Sequence, residues 1–136
     1  MDDINKASEI AVSGMKAQAE RLRVVSENLA NADSLPTAPD QKPYRRKIMT
    51  FRNVLDKTIG ADKVKVAKID TVRSPFNKIY QPTHPAADAS GYVLSPNVNS
   101  LVELMDMREA ERSYQANMDV VTTSRTMLTN TINLLK

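Results

Sequence analysis

The sequence predicts a mainly α fold with a small β-rich middle. Long N- and C-terminal helices are expected to pack as a coiled-coil-like bundle completed by further copies. Three observations predict this. Apolar residues recur every seven positions at both ends of the chain. All seven prolines fall between Pro36 and Pro96. Between the two periodic ends, short stretches alternate polar and apolar residues in the manner of strands.

The 136 residues suit a single domain. Hydrophobic residues make up 41% of the chain and aromatic residues only 4%. The apolar content is Ala, Val, Leu, Ile and Met, which suits helices lying side by side rather than a core built around rings.

The first element is a helix over about 4–32. Ile4, Ala11, Gln18, Val25 and Ala32 recur every seven residues, and Ser8, Met15, Leu22 and Leu29 interleave with them. Ile10, Ala17 and Val24 widen the stripe, while Glu9, Lys16, Glu20, Arg23 and Glu27 take the opposite face. Gly14 interrupts the pattern at a cost of about 1 kcal/mol relative to Ala, which a close helix approach would offset. The middle, 35–98, opens on the Pro-rich loop "SLPTAPDQKP". "YRRKIMTFRNVL" and "KVKVAKI" alternate in part, Lys63 and Lys65 against Val64 and Val66, and "KIYQP" and "SGYVL" are short turn-bounded stretches. The last element is a helix over about 99–135. Met107, Tyr114, Val121, Leu128 and Leu135 form its seam, with Met118 and Ile132 beside it and Ala110, Asn117, Ser124 and Thr131 on the other flank. Ser100 and Glu103 have the spacing of a capping box. The chain thus divides into 1–34, 35–98 and 99–136, and its helices would be roughly 45 and 55 Å long.

Charge is unevenly spread. Residues 1–34 carry four basic and six acidic side chains, 35–98 eleven and five, and 99–136 four and five, so the net +3 comes from the middle. Arg45, Arg46 and Lys47 would suit phosphates. Only Tyr44 and Phe51 stand near for base stacking, and no finger or helix-turn-helix accompanies them. No nucleic-acid partner is expected.

No constellation for catalysis is present in the sequence. The one histidine, His84, stands between Thr83 and Pro85 without cysteine or clustered carboxylates, so no metal site is expected. With three glycines there is no phosphate-binding glycine loop. Ser13 to Lys16 has the Ser-x-x-Lys spacing of penicillin-recognising enzymes, without the companion motifs. No catalytic residue, cofactor or small-molecule substrate is expected. The acidic start "MDDINKASEI" lacks the pattern of a cleaved signal peptide, and no apolar run reaches the length of a membrane span.

Two helices have too few faces to bury both stripes, so further copies would have to supply the rest. Gln18 and Asn117 put polar groups into the seams, a device that fixes register. Such helices are expected to order on assembly rather than alone, because an unpartnered stripe does not offset the ordering entropy.

The stretch "SGMKAQAERLRVVSENLANADS", Ser13 to Ser34, resembles the N-terminal signature of the bacterial flagellar rod and hook proteins. "MREAERSYQANMDVVTTSRTML", Met107 to Leu128, resembles their C-terminal signature. "KPYRRKIMTF" and "HPAADASGYVLSPNVNSLVELM" resemble the proximal rod class in particular. After the asparagine phrase the chain continues Asp33-Ser34-Leu35-Pro36, which also favours that class over distal rod and hook. Residues 56–79 fit the family only loosely.

The resemblance implies a non-enzymatic, self-assembling subunit of the rod of the flagellar basal body, in the periplasmic space, exported by the flagellar type III apparatus without a cleaved signal peptide. It implies a drive shaft around an export channel, required for motility. Implied partners are further copies, other proximal and distal rod subunits, a basal adaptor protein, and the MS ring with the export apparatus. The interface residues implied are Ile4, Ala11, Met15, Gln18, Leu22, Val25 and Leu29 on the first helix, and Met107, Tyr114, Asn117, Met118, Val121, Leu128, Ile132 and Leu135 on the second. Asn28, Leu29, Ala30, Asn31 and Ala32 form the family motif. Its asparagines are expected to bridge to adjacent chains or cap the helix, and its alanines to admit a neighbouring backbone. The rival readings are another rod subunit of the same axial family, a helical adaptor for one partner, and a module with a basic nucleic-acid-binding middle.

Overall fold

The computed structural model describes residues 2–135. Helix α1 spans Asp2–Ala30, strands β1 (Lys47–Asp56) and β2 (Ala61–Thr71) form one two-stranded sheet, β3 (Asn77–Tyr80) and β4 (Tyr92–Ser95) form another, and helix α2 spans Ser100–Leu134. The mainly α expectation with a small β middle is met.

Two local expectations are corrected. The first helix ends at Ala30, not at residue 32, because the Asn31 side chain turns back to the Glu27 carbonyl (2.8 Å) and satisfies one of the last-turn acceptors. Ser100 is not the cap of the second. Asn99 is: its Oδ1 accepts from the N–H groups of Leu101 (3.0 Å) and Val102 (3.3 Å), and its carbonyl takes the first helical bond from Glu103. Glu103 is thereby released from any capping box. In β2 burial does not follow the alternation: Lys63 is half-buried like Val64, because Glu9 and Asp56 hold its ammonium.

The chain forms two compact units that interleave along the sequence. The first comprises residues 1–22, 49–68 and 108–136. Its helical segments run antiparallel, since Arg21 pairs with Glu109 and Gly14 lies against Asn117. The contact is made by small residues: Ala11, Ala17, Ala110 and Ser124 are buried. A Cβ on Gly14 would stand 2.9 Å from the Asn117 amide nitrogen, so glycine here leaves room for the Asn117 side chain. Packing through small residues leaves the larger apolar side chains outside. Val120, Met127, Leu134 and Leu135 are exposed, Leu134 to 87%. The β1–β2 turn is tied down by Asp56, which accepts from the Thr58 N–H and from Lys63.

The second unit comprises residues 23–48 and 69–107. Val24, Val25, Ala32, Ala86, Val93 and Val98 form its apolar core. β3 and β4 pair antiparallel with Ile79 opposite Val93. Gly91 turns the chain into β4 at φ +81°, and a Cβ there would strike the Tyr80 ring at 2.9 Å, which explains glycine at this site. The Tyr80 and Tyr92 rings meet edge to face, centroids 5.3 Å apart.

Candidate functional site: the asparagine motif and the helix faces

The motif asparagine at the end of α1 is a structural hub of the second unit. Asn28 is 1% exposed. Its amide nitrogen donates to the Lys47 carbonyl (2.8 Å) and to Glu103 Oε2 (3.0 Å). Its amide oxygen accepts from the Lys47 N–H (2.9 Å) and the Tyr44 hydroxyl (2.8 Å). One side chain thus uses two donors and two acceptor sites at once. Only a carboxamide offers that set on so short a stem; aspartate cannot donate, and leucine can do neither. The asparagine phrase therefore ties the helix end to the first strand and to the start of α2 within one chain. The expected bridge from Asn28 to an adjacent chain is overturned, because every valence of the side chain is already filled. Asn31 keeps the expected capping role. Ala32 is buried within the chain and Ala30 is exposed.

Glu103 completes the hub. It is fully buried, and its Oε1 receives the Arg46 guanidinium at 2.5 Å. The same guanidinium reaches Asp106 at 3.2 Å. Lys47 pairs with Glu27. Arg45 stacks over Phe76, 4.1 Å from the ring centroid, and donates to the carbonyls of Val72 and Ser74. The Arg45–Lys47 run is consumed by intrachain partners rather than set out for phosphates. Asn97 joins the same ring of contacts, accepting from the Arg46 N–H (2.8 Å) and donating to Val72 and Ser74. Tyr44 is held as a donor: burial first, then the charges of Glu27 and Glu103, pushes its phenol up to about 12.

Sequence reasoning missed Lys47, Glu103 and Tyr44 as partners of the motif, and Arg46 and Asn97 as the residues behind them. Local spacing offered Glu103 only as a capping carboxylate, and nothing local pairs it with a residue 75 positions away.

The predicted interface residues divide. On α1, Ala11 and Val25 are buried within the chain, and Ile4, Met15, Gln18, Leu22 and Leu29 are half-buried. The Gln18 amide oxygen is buried without a hydrogen-bond partner. On α2, Met107, Tyr114, Asn117, Val121 and Leu128 are half-buried, while Met118, Ile132 and Leu135 are exposed. The most deeply buried residues of α2 are Glu103, Ala110 and Ser124, on the flank of small and polar residues rather than on the seam named from the sequence. The seam line stands at the edge of the intrachain contact because small residues let the backbones close up first.

The isolated catalytic patterns dissolve. Ser13 Oγ donates to the Ile10 carbonyl (2.7 Å) and accepts from the Val64 N–H (3.2 Å), so it braces α1 against β2. His84 lies in a turn, its Nδ1 accepting from the Ala86 N–H. Among the described residues no three His, Cys, Asp or Glu side chains cluster to hold a metal, and no helix is long and apolar enough to cross a membrane.

Comparison with known proteins now bears on these features. Residues 9–34, which contain the hub asparagine, match the flagella basal body rod protein family. Residues 89–134 match the flagellar basal body rod FlgEFG protein C-terminal family. The flagellar basal-body rod protein FlgC of Agrobacterium fabrum is 50% identical over 136 residues, spanning all of this chain and 98% of that protein. The FlgC proteins of Salmonella typhimurium and Bacillus subtilis are 42% and 35% identical, each alignment covering 93% of this chain and 93% and 95% of those proteins. Two terminal helices carrying the rod signatures, knotted by the motif asparagine, and likeness along the full chain lead to one conclusion: this chain belongs to the FlgC family of flagellar basal-body rod proteins.

Proposed function

We propose that the protein is a structural subunit of the proximal rod that acts by assembly, without catalysis. The observation that carries this reading is the helix pairing of the first unit. Its most deeply buried residues are small, Ala11, Ala17, Ala110 and Ser124, and Val120, Met127, Leu134 and Leu135 of α2 are exposed. Burying a leucine-sized side chain contributes about 1.5–3 kcal/mol, and here that contribution is left for other chains. In this reading residues 1–34 and 99–136 form the assembly core and 35–98 the outlying part. The half-buried and exposed interface residues, Met15, Leu22, Tyr114, Met118, Val121, Leu128, Ile132 and Leu135, meet neighbouring copies and other rod subunits in a coiled-coil-like tube around the export channel. An adaptor and the MS ring with its export apparatus stand at the base. Export by the flagellar apparatus, without a cleaved signal peptide, to the periplasmic space belongs to the same reading and rests on the family resemblance.

Leu128→Asp tests it. The substitution removes an apolar contact and sets a charge in the packed wall, at several kcal/mol unless it finds a partner. Cells should make and export the variant but fail to complete the rod, while Glu111→Gln should swim. Complete rods of normal length in basal bodies purified from the Leu128→Asp strain would defeat the assignment.

A further inference from the structure

Three of the four strands have edge groups covered from within the chain. In β1 the Asn28 side chain takes both the N–H and the carbonyl of Lys47. In β2 the Val64 N–H donates to Ser13 Oγ. In β4 the Tyr92 N–H donates to the Asp88 carboxylate, and the Tyr92 carbonyl accepts from the Asp88 N–H. The outer edge of β3 differs. The Gln81 N–H donates to the Gly91 carbonyl (2.9 Å), which makes these two a hydrogen-bonded pair. Such pairs alternate along an antiparallel ladder, so Ile79 with Val93 and Asn77 with Ser95 are the next two. The N–H and carbonyl groups of Lys78 and Tyr80 therefore point away from β4. Among the described residues these groups meet no partner, and β3 is exposed along its whole length. An edge left in this state accepts one more strand.

The surroundings of the edge set what that strand must carry. Ile79 shares a face with buried Val93. On that face lies a recess of about 420 Å³, with Ile79, Ala32, Leu35 and Val98 as apolar walls. Directly opposed residues share a face, so a residue opposite Ile79 on an added strand points toward the recess. Asp33 lines the same recess, exposed and in no ion pair among the described residues. A side chain two positions along the added strand returns to this face, where a cation would meet the Asp33 carboxylate. The other face carries Lys78, beside the paired rings of Tyr80 and Tyr92, and disfavours a second cation there.

We propose that β3 binds an extended segment of a partner protein as an antiparallel third strand. That segment places an apolar residue opposite Ile79, a lysine or arginine two positions away toward Asp33, and uncharged residues between them. The main-chain groups of Lys78 and Tyr80 hold its backbone, while the recess and Asp33 select its side chains. The contact uses neither terminal helix face and does not depend on the rod-subunit reading.

The acetylated peptide amide Thr-Lys-Thr-Val-Thr-Lys-Thr has this pattern in either register of its lysines. Titrated into the purified full-length chain, it should protect the Lys78 and Tyr80 amides from hydrogen exchange and shift the Ile79 and Val98 methyl signals in NMR spectra. The same peptide N-methylated on the two threonines flanking its valine should not bind, since those N–H groups face the Lys78 and Tyr80 carbonyls. Glutamate in place of its lysines should weaken binding. Asp33→Asn, an exposed substitution, should weaken binding of the lysine peptide by about threefold, the size of an exposed ion pair. Binding that leaves the two amides unprotected would overturn the proposal. So would equal binding of the N-methylated or the glutamate peptide, an unchanged affinity in Asp33→Asn, or no binding up to the peptide's solubility limit. Protection of the same amides by raising the chain concentration alone would make β3 of a second copy the occupant, and would also overturn it. Each of these results leaves the rod-subunit reading standing, because that reading is tested in basal bodies.

Discussion

Replacing Asn28 by alanine should open the second unit. The substitution removes four hydrogen bonds at once, to the Lys47 carbonyl and N–H, to Glu103 Oε2 and to the Tyr44 hydroxyl. A buried polar group left without a partner costs roughly 1–3 kcal/mol. Lys47 and Tyr44 are half-buried, so water recovers part of the loss there, whereas the Glu103 carboxylate is fully buried and keeps its penalty. A net loss of about 3 kcal/mol follows from these ranges. That is a large share of the 5–15 kcal/mol typical of a whole domain. Hydrogen exchange of the purified chain reads it directly. The Lys47 amide should exchange about a hundredfold faster in Asn28→Ala, since each 1.4 kcal/mol is a factor of ten in local opening. Asn28→Asp should do no better, because it sets a second carboxylate at the 3.0 Å position beside Glu103 Oε2. Asn31→Ala, which loses only the bond to the Glu27 carbonyl, should change the unit by about 1 kcal/mol. An unaltered Lys47 exchange rate in Asn28→Ala would show that the hub does not hold the unit together.

Three further outcomes are expected. Arg46→Met leaves Glu103 buried without its cation and should destabilise the chain by about 3–5 kcal/mol in urea unfolding, whereas Arg46→Met with Glu103→Leu should recover much of the loss. The Lys63 hydrogen bond, then the Thr58 N–H, holds Asp56 down at about 2 from an ordinary 3.8, so this pair's contribution is present above pH 4 and lost as the pH falls toward 2; in Lys63→Met the Asp56 carboxyl should titrate nearer its ordinary value by NMR. Gly14→Leu should loosen the helix pair, measured as a lower melting temperature, while Gly14→Ala should gain about 1 kcal/mol of helix propensity only where Asn117→Ala has made room.

Periodicity and punctuation in the sequence determined the two helices, their approximate ends and the β character of the middle, because these depend on residues near each other along the chain. Seven-residue spacing showed Ala11, Val25 and Leu128 on one face of their helices without pairing that face with anything. The family signatures were legible for the same reason, being contiguous phrases. Tertiary structure alone decided the partners. Asn28 gave every sign of a cap or an exposed amide until the fold brought Lys47 and Glu103 to it, and Glu103 read as a capping carboxylate until Asn99 took that place. The line of helix contact was likewise not a matter of hydrophobicity. Gly14 makes room for the Asn117 side chain and Ala110 and Ser124 are buried, so the small flank of α2 went inward and the row Val120, Met127 and Leu134 was left outside. Local spacing fixes which residues share a face; steric fit between distant segments decides which face is used, and that information is not local.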